Sequence, residues 1–157
     1  MRKIFWLAVI LVVLVVPVKS VKAETVSYRL VMAQNQDSMC PAFRDEIFAI
    51  VQYRLARRGV ALKRLSTLTV PAAQVGLYDK RAMMDVAKMF HSQFRLDDDL
   101  IPPKNFSILV APPWTTDYRH YRTEAVVGRR VAVVWLGNSI PGSARQLTRV
   151  WRKLLRL

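Results

Sequence analysis

Phe106-Ser107-Ile108-Leu109-Val110-Ala111 and Val131-Ala132-Val133-Val134-Trp135-Leu136 are short, nearly unbroken apolar runs rich in branched residues. A strand with one wet face alternates apolar and polar residues, whereas a continuous run of this length marks a strand covered on both faces. Pro112-Pro113 closes the first run and Gly137-Asn138 the second. Between them, Glu124 to Val127 and the turn Gly128-Arg129-Arg130 predict a hairpin with Val131 to Leu136, although the turn is not the favoured Asn-Gly type.

Working back toward the amino terminus, Asp79 is placed to cap a helix running to about Phe94, with Met83, Val86, Ala87, Phe90 and Phe94 on one face. His91 falls on or beside that apolar face and reads as a packed core histidine. Val60 to Val70 is a second extended segment, closed by Pro71. Pro41 to Arg58 carries Phe43, Ile47, Ile50, Val51 and Leu55 at helical spacing and stops at Gly59. Thr25 to Ala33 sets Val26, Tyr28, Leu30 and Met32 against Ser27, Arg29 and Val31, the period of a strand with one buried face.

Beyond the hairpin, Ser143 is in position to cap a helix from Ala144 to Leu157. Ala144, Leu147, Val150, Trp151, Leu154, Leu155 and Leu157 gather on one side, and Arg145, Arg149, Arg152, Lys153 and Arg156 on the other. Two readings follow. The helix docks on its own core with a solvated basic back, or it lies on an anionic surface with Trp151 as interfacial anchor. Both hold together if the apolar face is used internally and the cations face outward.

The order strand, helix, strand, helix, strand, hairpin, helix predicts an α/β domain of two or three layers, with α+β as the variant: a mixed sheet of four to five strands and three helices. Repeats and low-complexity tracts are absent from the sequence. Residues 24–157 suit one domain. Ahead of them, Met1 to Ala23 has the grammar of a secretory signal: Arg2 and Lys3, an apolar run from Ile4 to Val16, Pro17, and small residues at Val21 and Ala23. The run is shorter than the roughly 20 residues that span a bilayer. Cleavage after Ala23 is therefore expected, with a retained anchor as the alternative, and the basic start favours an exported domain, periplasmic or secreted.

The chain carries 25 basic and 11 acidic residues, a formal charge of +14. Removing the four cations of the leader leaves 21 against 11, or +10, and residues 119–157 hold 9 basic and 1 acidic, or +8, of that. In an exported protein this field selects an anionic membrane surface, an acidic glycan or an envelope protein before nucleic acid.

Catalytic patterns are thin. Phosphate loops, His-Glu-x-x-His and Gly-x-Ser-x-Gly do not occur in the sequence. Asp97-Asp98-Asp99 lacks the spacing of a calcium loop and reads as a solvated turn, so neither metal nor cofactor is expected. Cys40 is alone, which leaves a buried thiol, an intermolecular Cys40-linked dimer, or a reactive thiol near a helix start. In a parallel sheet, ligands approach the carboxyl ends of the strands, and that rule selects residues 34–40, 112–121 and 138–143. The middle segment holds Trp114, Asp117, Tyr118, Arg119, His120 and Tyr121, rings beside charges that would suit a sugar or plug a loop. Two functions are thus in play. One is a non-enzymatic envelope accessory protein binding through Trp114, Tyr118, Arg119, Tyr121 and the basic helix. The other is a small hydrolase or glycan-processing enzyme with Cys40 or Ser139 as nucleophile, Asp117 as orienting acid and His120 as base.

Overall fold

The computed structural model describes residues 23–33, 41–70, 79–97, 104–111 and 122–157. The elements in chain order are β1 (Glu24–Ala33), α1 (Pro41–Ala56), β2 (Val60–Arg64), β3 (Leu68–Val70), α2 (Lys80–Asp97), β4 (Asn105–Ala111), β5 (Glu124–Val127), β6 (Val131–Trp135) and α3 (Ile140–Leu155). The fold is α/β, as the pattern predicts: one mixed sheet with helices on both faces.

Its order is β2-β1-β4-β6-β5, with β3 also on β1. All pairs are parallel except β5 with β6, whose register sets Val127 opposite Ala132 and closes the expected hairpin. β4 and β6 are buried along their whole lengths. α1 and α3 pack against each other on one face, over Tyr28, Leu30, Ile108 and Val134. α2 covers the other, where Met83 and Ala87 meet Leu109, Val133 and Trp135.

Three details differ from the sequence reading. The sheet has six strands, because the extended segment after α1 divides in two. Tyr28 pairs with Arg64 and Val31 with Leu68, so this segment has one more residue than β1 between the two pairs, and a bulge separates β2 from β3. β1 is also buried on both faces: Ser27 and Arg29 lie under the α2 layer at 3% and 5% exposure. A period-two pattern reads such residues as solvent-facing, but β1 sits between β2 and β4 in the middle of the sheet.

The third difference is at α3. Its cap is Ser139, four residues earlier than expected; the Ser139 hydroxyl accepts from Gly142 N at 3.3 Å, and Pro141 occupies the first turn, where its missing N–H has no partner to lose. Ser143 is instead fully buried. The other helix ends follow expectation. Arg81 N donates to Asp79 Oδ1 at 2.8 Å at the start of α2, and after α1 the chain turns through Gly59 at φ 75°, a left-handed conformation that glycine adopts without a Cβ penalty.

The core beneath α1 and α3 is aromatic. Trp151 stands edge-on to Tyr28 and to Phe106, with centroids 5.0 and 5.9 Å away, and Tyr28 stacks on Phe48. Burial pushes the Tyr28 hydroxyl above the ordinary phenol range; nearby Arg64 pulls it down by less, and Asp45 adds to the rise. A raised value in the folded state means stability is intact below pH about 10 and falls as pH rises from there toward the folded value. Within that window the loss approaches about 1.4 kcal/mol per pH unit. Urea unfolding from about pH 9 to about pH 11 should therefore show a steeper decline for the wild type than for Tyr28→Phe. Parallel declines would contradict the assignment.

Candidate functional site

The crossover from β1 to β2 runs one way along the sheet, and the crossover from β3 to β4 runs the other way, past β1. That makes the carboxyl ends of β1 and β4 the switch point where an α/β sheet opens a crevice. Met32 is opposite Val110 in this ladder, so the chain leaves both strands side by side. Cys40, Trp114, Asp117, Tyr118, Arg119, His120 and Tyr121 all lie outside the described residues.

The third selected segment is described, and it is structural. Gly137 N donates to Thr123 Oγ1 at 2.9 Å, the Thr123 and Ser143 hydroxyls are 2.6 Å apart, and Ser143 Oγ donates to Gly137 O at 3.2 Å. This closed set of hydrogen bonds locks the entry to β5, the exit of β6 and the first turns of α3 together. Its hydroxyls are engaged with one another, so it offers a poor nucleophile.

Sequence reasoning did not find a buried polar group beneath α2. Ser27, Arg29, Asn105 and Ser107 come from β1 and β4, and His91 from α2. His91 Nδ1 and Ser107 Oγ are 2.9 Å apart. The histidine is thus packed in the core, as expected, and anchors α2 to the centre of the sheet. A warning was present: Ser107 interrupts an otherwise apolar run, and a hydroxyl there requires a buried partner.

α3 carries the surface chemistry. Ala144, Leu147, Val150, Trp151 and Leu154 are buried and Leu155 partly so, which uses its apolar face inside the domain. Trp151 is 0% exposed, so the interfacial-anchor reading of this residue fails: it fills the space between Tyr28 and Phe106. Arg145, Arg149, Lys153 and Arg156 are exposed and Arg152 is half-buried. None of the five has an acidic partner among the described residues.

Two open cavities of about 300 Å³ each accompany this layer, one between α1 and β2 beside Tyr28 and the other at the carboxyl end of α3. Among the described residues there is no cluster of metal-ligating side chains, and no helix is long and apolar enough to cross a membrane. No protein-family model, characterised protein or solved structure matches the chain.

Proposed function

We propose that the protein is an exported, non-enzymatic accessory domain of the cell envelope that docks through the basic surface of its carboxyl-terminal region on an anionic partner. One observation carries this reading: α3 spends its apolar face on its own core and carries five cations, four of them exposed and one half-buried, without acidic partners among the described residues. A helix that only packs also has a polar back, but here every charged residue on it is basic. The leader grammar of Met1 to Ala23 supplies the compartment, where anionic lipid headgroups and acidic glycans are the abundant counter-charges.

The test uses the full chain expressed with its leader and purified as the cell processes it. Its intact mass should begin at Glu24. It should co-sediment with vesicles of phosphatidylcholine containing phosphatidylglycerol, less with phosphatidylcholine alone, and the difference should fade as salt shortens the Debye length to a few Å. Equal binding to both vesicles, insensitive to salt, would refute an electrostatic dock on lipid.

A further inference from the structure

We propose that the face meeting the bilayer is the amino end of the parallel sheet, where α3 terminates, and that its ligands are anionic phospholipid headgroups. This rests on the docking reading above and gives it a location.

Separate elements bring cations to that end. α1 ends at Ala56 and Arg57-Arg58 follow in the turn; the next residue, Gly59, accepts from Glu24 N at 2.8 Å, which ties the helix end to the start of β1. The turn from β5 to β6 adds Arg129 and Arg130, with Ser107 N donating to Arg130 O at 3.1 Å. Lys104 precedes β4, and Arg156 closes α3.

Lys104, Arg129, Arg130 and Arg156 border the cavity of about 300 Å³; half-buried Leu155 and exposed Leu157 contribute its apolar surface, over a floor of buried Val60, Phe106 and Leu154. Glu24 is the one acid on its lining among the described residues, and Lys104 pairs with it. Arg57, Arg58, Arg129 and Arg156 are exposed and have no acidic partner among the described residues. A cationic border beside apolar surface suits a phosphate diester with the first carbons of its acyl chains. A soluble polyanion would use the charges and leave the apolar part idle.

The direction of the chain supplies an independent argument. β1 starts at this end, and the apolar run Ile4 to Val16 is separated from Glu24 only by residues 17–23. Seven residues reach at most about 25 Å when fully extended. Until the leader is cleaved, that run in the bilayer keeps the start of β1 within this reach of the headgroups.

The decisive comparison uses two variants in the same vesicle assay. Arg57→Gln/Arg58→Gln/Arg129→Gln removes exposed charges from the amino end without touching α3. Arg145→Gln/Arg149→Gln removes two from α3 ahead of its last turns, farther from the amino end of the sheet. At about fivefold per cation near an anionic surface, the triple variant should lose phosphatidylglycerol-dependent binding by roughly a hundredfold, and the double variant by no more than a few-fold. Unchanged urea midpoints would confirm that both are folded. Loss in the double variant with binding intact in the triple would overturn this location while leaving the docking function standing. A wild-type protein indifferent to phosphatidylglycerol would overturn both.

Discussion

Trp151→Ala should lower the stability of the domain by about 3–5 kcal/mol, the range for a large aromatic removed from a core. The residue is fully buried and joins two layers, contacting Tyr28 of β1 and Phe106 of β4 from its place on α3. Both rings are held by central strands, which limits how far they can close over the void. Since whole domains are stable by only about 5–15 kcal/mol, a fifth or more of the total would go. The indole N–H is buried without an acceptor among the described residues. Trp151→Phe therefore sacrifices volume and no hydrogen bond, and should fall well short of the alanine loss. Urea denaturation reads both as shifts in midpoint at constant slope. A Trp151→Ala loss below about 1 kcal/mol would mean that α3 is not docked as described.

The second large effect is on binding. Changing Arg145, Arg149, Arg152, Lys153 and Arg156 together to Gln should weaken attachment to phosphatidylglycerol vesicles by a hundredfold to several thousandfold. Each cation near an anionic surface contributes about 1 kcal/mol, and three to five of them are within reach depending on how the helix meets the lipid. Stability should change little, because four of the five are exposed and none is paired with an acid among the described residues. The informative control is added salt: a wild type in high salt should behave like the variant in low salt. Intact binding by the variant in low salt would remove α3 from the dock.

Much of the architecture was legible because burial leaves a period in the sequence. The apolar runs at Phe106 and Val131 announced two-sided strands, and the spacing of Ile47, Val51 and Leu55 announced α1. Where the reading failed, tertiary context had outweighed the local pattern. Ser27 and Arg29 alternate as solvent-facing residues do, yet the crossover to β4 places a helix over them. The choice between Ser139 and Ser143 as cap could have been made from sequence, since Pro141 fits a first turn and fits poorly just before a cap. The bulge after Arg64 shows only in the register of this segment against β1, which pairing reveals and spacing does not.

The candidate loop residues, Cys40 and the string from Trp114 to Tyr121, had only composition to recommend them. Loop chemistry has no period, so proximity in space does not show in spacing. The basic face of α3 was readable for the opposite reason, since a helix converts spacing directly into a surface. The cationic end of the sheet was not readable. Its members come from the ends of separate elements and meet only once the sheet is assembled.

The pairing of β1 with β4 has a temporal consequence. Ser27 lies opposite Asn105, so the central ladder joins positions 78 apart in the chain. Contacts of such long range require the loop to close before they return any stability, and they form late. A chain emerging from its amino terminus can build α1 and pair β1 with β2, but its middle ladder waits until residue 105 and those after it are available. Until then the central ladder cannot form, and the hairpin of β5 and β6, whose contacts are local, can join it late. The order of the strands thus sets a clock, delaying compaction until most of the chain has been delivered.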